Sequence, residues 1–486
     1  MTVSNLSKAY EPQAVEQRHY AAWEQAGFFH EEPDPARPPY IICMPPPNVT
    51  ARAHIGHGST YIPMDILVRY HRMMGENADW LPGTDHAAIA TETVLVRQLA
   101  AEGKSRESLG REQYMERAWR WSRETGGTIN DQFRRLGFGP DWDRSRFTMD
   151  DSMSAAVTRV FVELYREGLI YRGTRLINWD PKSKSTISDA EIDHEERPAF
   201  LWRVRYPFSK DASDGIEIAT TRPETMLADV AIAVHPEDTR YTALIGKTVL
   251  VPPLMQRAIP IIADSVVDPE FGTGAVKVTP AHDATDYDIG TRHALATPSV
   301  IDTDGNITGN DLDVGRFLGL ESLNAREEIV KDIAALGLLI EKQPYTHSVA
   351  ISERSGAIVE PLLSLQWFID MKPLAKPALN ALHDGRLRFV PERYGRTYEQ
   401  WLENIRDWNI SRQVWWGHQL PVWYTPNDDV IVAHTEEEAK QQAREKFGSD
   451  MLRRDSDTLD TWFSSGLWPF SILGWPQKTP ELAHWY

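Results

Sequence analysis

The sequence predicts an α/β fold interrupted by a β-rich insertion, on three observations. First, Tyr40-Ile41-Ile42-Cys43 is a short apolar run of the kind that forms a buried strand. It leads through Met44-Pro45-Pro46-Pro47-Asn48-Val49-Thr50-Ala51-Arg52-Ala53-His54-Ile55-Gly56-His57-Gly58 into helical spacing at Tyr61, Met64, Leu67, Val68 and Tyr70. Second, helical periodicity recurs over 88–101, 110–136 and 152–168. Third, from Ile170 the pattern changes to short β-like runs separated by turn residues, at 200–208, 216–221, 230–234, 248–251, 259–262 and 274–279.

Taken in order, residues 10–28 read as an amphipathic helix, with Val15, Tyr20, Trp23 and Phe28 or Phe29 as apolar contacts. A Pro-rich loop, 31–39, precedes the first strand. The helix at 59–74 closes at Gly75, the usual residue after a helix end. A second strand at 78–81 enters the turn Pro82-Gly83-Thr84-Asp85-His86. Helices at 283–294 and 322–336 accompany the β-rich part, and helices at 370–384 and 396–406 frame tryptophan-rich loops. The pattern divides the chain into 1–189, 190–345 and 346–486.

Composition narrows the function. A hydrophobic fraction of 41% allows a sizeable core. The formal charge of −18 argues against a protein that coats nucleic acid nonspecifically, but leaves room for a local basic face. No run of eighteen apolar residues and no basic-apolar leader is present, so no membrane span is expected and the cytoplasm is the expected location. The single cysteine, Cys43, excludes a disulfide framework and a multi-cysteine zinc site.

The strand-to-helix turn is where an open α/β sheet binds ligands. His54 and His57, three apart at a helix N-terminus, suit a phosphate, whose charge their N–H groups and the helix dipole would stabilise. Alone, the pair also reads as two surface histidines or half of a metal site. Asp85 suits an ammonium group, and equally the N-cap of the helix at 88–101; the two roles are compatible.

The His54-Ile55-Gly56-His57 stretch resembles the signature of class I aminoacyl-tRNA synthetases, and its Pro-Pro-Pro-Asn-Val-Thr preface is similar to the valyl branch of that class. Further matches follow in order. They are Leu81-Pro82-Gly83-Thr84-Asp85-His86-Ala87, Ile177-Asn178-Trp179-Asp180-Pro181, Asn409-Ile410-Ser411-Arg412-Gln413-Val414-Trp415-Trp416-Gly417-His418 and Asp460-Thr461-Trp462-Phe463-Ser464-Ser465-Gly466. The resemblance implies an incomplete Rossmann-type class I catalytic core, in which His54 and His57 bind ATP phosphates. Pro45, Pro46, Asn48, Trp416 and Trp462 would line the valine pocket, with Asp85 on the substrate ammonium. It implies valine, ATP with Mg2+ and tRNA(Val) as substrates and partners, a monomer, and no membrane association. A short apolar slot of this kind excludes isoleucine by size but rejects threonine weakly, because threonine is nearly isosteric with valine.

That weakness calls for a second, hydrolytic site. Thr220-Thr221-Arg222-Pro223-Glu224-Thr225 and the run Gly272–Asp286 resemble the two signatures of the family's editing domain. The resemblance implies a pocket lined by Arg222, Thr225, Lys277, Thr279, Asp283 and Asp286. Asp283 would hold the ammonium of a mischarged residue. Asp286 and the threonines would read its hydroxyl and position water, and Arg222 and Lys277 would meet the terminal adenosine and its phosphates. On the residues alone, the cluster also reads as a salt-linked turn between strand and helix.

Several positions depart from the family pattern: Ala51 and Ala88 replace glycines, Ala53 a leucine and Glu92 a glutamine. If position 51 needs φ > 0, alanine there is strained by about 1–2 kcal/mol. Ser352 and Ser355 stand where some relatives carry a zinc-binding cysteine pair, so no zinc is expected. Lys182-Ser183-Lys184-Ser185 imitates the family's Lys-Met-Ser-Lys-Ser loop but lies before the insertion, and reads as a solvated turn. The expectation is an N-terminal portion of a synthetase: 1–189 the first half of the catalytic domain, 190–345 the inserted editing domain, 346–486 the return to the catalytic domain. Alone it is expected to activate valine weakly or not at all. The alternatives are a trans-editing deacylase and a non-catalytic fragment that binds the tRNA acceptor end.

Overall fold

The computed structural model describes residues 10–210 and 214–486. The chain forms two compact units, Met1–Tyr171 with Phe368–Tyr486, and Arg172–Trp367. It leaves the first unit within the strand Ile170–Asp180 and returns within the strand Glu360–Ile369.

In the first unit, α1 (Pro12–Gln25) is pinned by Tyr20, whose hydroxyl donates to the Phe138 carbonyl at 2.6 Å. Strand β1 (Pro39–Cys43), helix α2 (Ile55–Met73) and strand β2 (Asn77–Leu81) form a βαβ unit, with β1 and β2 parallel from Pro39↔Asn77 to Cys43↔Leu81. Helix α2 begins four residues earlier than its apolar periodicity suggests, because its first turn is held by polar capping. It buries Tyr61 and Val68 in a core with Met44, Trp80, Ile129, Phe133 and Phe138. Gly75, at φ +83°, ends it in a backbone conformation that costs glycine nothing. Helices α3 (Ala88–Ala101), α4 (Arg111–Arg135) and α5 (Asp151–Arg166) follow the apolar stripes closely. The helices Lys372–His383 and Arg393–Glu403 lead into the tryptophan-rich loops.

The second unit holds a four-stranded sheet in the order Thr248–Leu250, Ala258–Ala263, Ala231–Val234, Ala275–Val278. It also holds a three-stranded antiparallel sheet of Leu339–Ser352, Ile192–Pro207 and Gly215–Thr220. The unit is wider than 190–345, and the ribbon of its two longest strands pairs from Ile192↔Ser352 to Val204↔Leu339. The helices Ala284–Arg292 and Ser322–Ala335 cover it, and Ala231, Ala233, Val267, Val278 and Ile289 form part of its core.

One sequence expectation changes. The 182–185 stretch is a turn, but not a wholly solvated one. Asp180 Oδ1 accepts the Lys182 and Ser183 N–H groups at 2.9 and 3.1 Å, Lys184 sits at φ +54°, and Ser185 is buried in a strand. Ser352 and Ser355 are structural hydroxyls. Ser352 Oγ donates to Asp180 Oδ2 at 2.7 Å, and Ser355 Oγ accepts the Ala357 N–H at 3.0 Å. Among the described residues, no helix is long and apolar enough to cross a membrane.

Candidate functional site

The two histidines organise the start of α2. His54 Nδ1 accepts the Gly56 N–H at 3.1 Å, and His57 Nδ1 accepts the His54 N–H at 3.2 Å. With both Nδ1 atoms accepting, each ring carries its proton on Nε2. Their centroids lie 4.2 Å apart, edge to face. Burial, then the neighbouring His54, push the His57 pKa down, so that ring is a neutral donor at working pH. At Gly56 a side chain would displace the His54 ring, since a Cβ would lie 2.8 Å from His54 Cε1, whereas one at Gly58 would meet nothing within 4 Å. The loop before the pair is held from α4, where Trp121 Nε1 donates to the Val49 carbonyl at 2.8 Å. The Gln132 side chain brackets the Ala53 backbone at 2.9 and 3.2 Å.

Asp85 lies on a ledge beside Asn48. Asp85 N–H donates to the Pro47 carbonyl at 2.9 Å, and Val49 N–H donates to the Asp85 carbonyl at 3.1 Å. The Asp85 side chain is buried, and burial pushes its carboxyl up to about 6 against the pull of two hydrogen bonds. Those bonds come from Ser465 Oγ at 2.5 Å and Ala87 N–H at 2.7 Å. Asp85 is therefore not the N-cap of α3. That position belongs to Ala87, at φ +50°, held by Asp85 two residues earlier. Ala51 lies outside the left-handed region, so the strain considered for it does not arise. Pro45 is exposed and Pro46 half-buried, and the Pro45 carbonyl accepts Tyr61 Oη at 2.7 Å.

The two tryptophans differ. Trp462 is 59% exposed on the short helix Thr461–Ser465, one turn from Ser465. Trp416 is fully buried. Its indole N–H donates to the His86 carbonyl at 2.8 Å, and its ring packs edge-on against Trp119 at 5.2 Å. Trp416 thus backs the Asp85-His86 turn from the core. Glu92 holds that backing in place, accepting the Trp415 and Trp416 N–H groups at 2.8 and 3.1 Å and pairing with Arg106. Beneath the turn, His86 Nδ1 meets Thr148 Oγ1 at 2.8 Å, and His418 Nε2 meets the Thr148 carbonyl at 2.8 Å. Burial lowers both imidazoles to about 3, so both are neutral.

In the second unit, Thr225, Lys277, Thr279 and Asp286 converge. Lys277 Nζ donates to Thr225 Oγ1 and to Thr279 Oγ1, each at 2.8 Å, and Thr279 N–H donates to Asp286 Oδ2 at 2.8 Å. Burial pushes the Asp286 carboxyl up to about 7, against Lys277. Asp283 is exposed and caps the helix Ala284–Arg292, accepting the Thr285 and Asp286 N–H groups at 2.8 and 3.0 Å. Arg222 is committed elsewhere: it pairs with Glu224 at 2.9 Å and Glu360 at 2.5 Å. A cavity of about 340 Å3 in this unit is walled by Gly272, Thr273, Arg240 and Tyr241 among others, and by none of Thr225, Lys277, Thr279 or Asp286.

A family model for class I tRNA synthetases (I, L, M and V) matches residues 18–486. The chain belongs to the class I tRNA synthetases. It is 50% identical over its whole length to a valine–tRNA ligase of Synechocystis sp. and to one of Geobacter sulfurreducens, and 51% identical to one of Carboxydothermus hydrogenoformans, covering 54% of each. The chain thus spans about half the length of the curated relatives it matches. A solved ternary complex of Agrobacterium radiobacter LeuRS with tRNA and LeuAMS is similar over 97% of this chain and 61% of that chain, at 18% identity and a TM-score of 0.47.

As a class I synthetase, the chain uses more polar groups at these places than its motifs single out. Ser465, Thr148, His418, Gln132 and Arg106 in the first unit, and Asp229, Tyr206, Glu224 and Glu360 in the second, all bond to the predicted residues or to their supports. Ser465, His418 and Glu224 sit inside the motifs, and their sequence context carries the signal. Asp229 follows the Thr220–Thr225 stretch by four residues with no signal of its own.

Proposed function

We propose that the protein carrying this chain joins valine to tRNA(Val) with ATP, and hydrolyses threonyl-tRNA(Val) in its Arg172–Trp367 unit. The observation that carries the first part is the identity of about half of all residues, along the whole chain, with relatives named valine–tRNA ligases. In this reading a valine carboxylate oxygen attacks the α-phosphorus of ATP, and the bond to the β-phosphate bridging oxygen breaks, releasing pyrophosphate. No side chain is needed as a nucleophile. The His54 and His57 Nε2–H groups donate to phosphate oxygens as charge grows there. As donors these imidazoles suit phosphate and offer a cation no ligand, so magnesium would be carried by ATP itself. Asp85 holds the ammonium, and Asn48, Pro45, Pro46 and the exposed ring of Trp462 bound the side chain, with Trp416 supporting from behind.

In the second unit, water attacks the ester carbonyl of the mischarged residue, freeing threonine and the tRNA 3′ end. A polar pocket that bonds a hydroxyl leaves groups unpaired when valine enters, which spares the correct product. Support comes from the convergence of Thr225, Lys277, Thr279 and Asp286. Valine-dependent exchange of pyrophosphate into ATP tests the first half and threonyl-tRNA(Val) hydrolysis the second. Asp85→Asn is expected to raise KM for valine at least tenfold with a smaller effect on ATP. No valine-dependent exchange by the unaltered protein would sink the ligase reading.

A further inference from the structure

We propose that Asp229 is a positioning residue for the deacylation site, a buried carboxylate that fixes Lys277 through Thr279. The inference rests on the reading of the Arg172–Trp367 unit as a deacylase. Asp229 and Tyr206 are both fully buried. Tyr206 Oη donates to Asp229 Oδ2 at 2.5 Å. Asp229 Oδ1 accepts the Thr279 hydroxyl and lies 3.5 Å from Lys277 Nζ. Arg257 completes the surroundings by donating to the Asp229 and Leu227 carbonyls at 2.9 and 2.7 Å, which fixes the backbone that carries the carboxylate.

Proton accounting assigns the role. A threonine hydroxyl has one proton and two lone pairs. Thr279 gives its proton to Asp229, and Thr225 gives its own to the Arg222 carbonyl at 3.0 Å. Each hydroxyl therefore turns a lone pair toward Lys277 Nζ, 2.8 Å away in both cases. The ammonium sits between two oriented acceptors, with a third, ionic partner behind. Neither hydroxyl keeps a proton for a substrate, so each meets a ligand as an acceptor only. An asparagine at 229 would remove the charge, and its amide nitrogen would compete to donate to Tyr206 or Thr279. Thr279 would be free to rotate, and Lys277 would lose its fixed place.

The test is single-turnover hydrolysis of threonyl-tRNA(Val) by the full protein, its folding checked by circular dichroism and thermal melting. In parallel multiple-turnover assays, Asp229→Asn is expected to lower kcat at least tenfold while KM stays within twofold, and the single-turnover rate constant is expected to fall with kcat. Lys277→Ala is expected to lower kcat comparably, and the double variant no further, since the carboxylate acts through the lysine. A folded Asp229→Asn protein with unchanged kcat, or a double variant whose losses multiply, overturns the inference and leaves the deacylase reading standing. If Asp229→Asn does not fold, Tyr206→Phe deletes one donor to the carboxylate. It is expected to lower kcat severalfold at constant KM, and unchanged kcat there also overturns the inference. Absence of hydrolysis by the unaltered protein overturns the deacylase reading and the inference together.

Discussion

Asp85 couples affinity to pH in a direction that ordinary acid unfolding does not share. Its carboxyl, raised by burial to about 6 before any ligand binds, has to be ionised to hold an ammonium. Below that value the proton competes with the substrate, so KM for valine is expected to rise about tenfold per unit as pH falls further. Stability moves the other way. A raised acid pKa means the folded state carries the cost of a buried charge above about 6, and that cost is relieved as pH falls toward the ordinary carboxylate range. Thermal melting and valine titration across pH 5–7 are expected to show firmer folding alongside weaker binding. Gly56 offers a second check at this scale. In Gly56→Ala the new Cβ would sit 2.8 Å from His54 Cε1, so the imidazole has to swing off the Gly56 N–H. Alanine in a helix otherwise adds about 0.5–1 kcal/mol. The lost cap bond costs a similar amount, so the variant is expected to melt close to wild type, yet to show KM for ATP raised severalfold.

Helix α2 shows what periodicity records. Val68 faces the core and is 1% exposed, whereas Ile66, two residues away, is 60% exposed on the opposite side. Val68→Ala is expected to cost about 1–3 kcal/mol in urea unfolding, and Ile66→Ala within about 0.5 kcal/mol. The apolar stripes that mark such inward faces locate α3, α4 and α5 within two residues of their observed ends, because those helices are shaped by burial. The start of α2 escapes the same signal. Its first turn is fastened by two imidazole–backbone bonds, and Ile55 there is 90% exposed. Asp229 escapes for a different reason. It precedes an apolar run that reads as a strand, and its partner Lys277 lies 48 residues further along. A pairing at that separation leaves no periodic trace. Trp416 was visible as a motif residue, but a ring that lines a pocket and one that backs it have the same spelling. Only the Trp119 contact and the bond to His86 distinguish them.

On the scale of the whole molecule, each unit carries its own core and its own buried ion pairs, and in the second unit these form a network around Glu224. Glu224 is fully buried and pairs with Arg222 at 2.9 Å and with Arg326 at 2.7 Å, while Arg222 also reaches Glu360. Burial alone would raise the Glu224 carboxyl. The two arginines outweigh it and hold the group at about 2. A lowered acid pKa contributes stability that is complete above the ordinary glutamate value and is lost as pH falls toward 2. Replacing one member of such a network costs more than the network adds, because Arg326 loses its carboxylate partner and Arg222 keeps only Glu360, both in half-buried positions. Glu224→Gln is therefore expected to destabilise this unit by about 3–5 kcal/mol. Hydrogen exchange locates the effect. Amides of Arg172–Trp367 are expected to lose protection in the variant, while those of α2, α3 and α4 keep theirs. Equal loss of protection in both units would show that Glu224 acts on the fold as a whole and not on the unit that buries it.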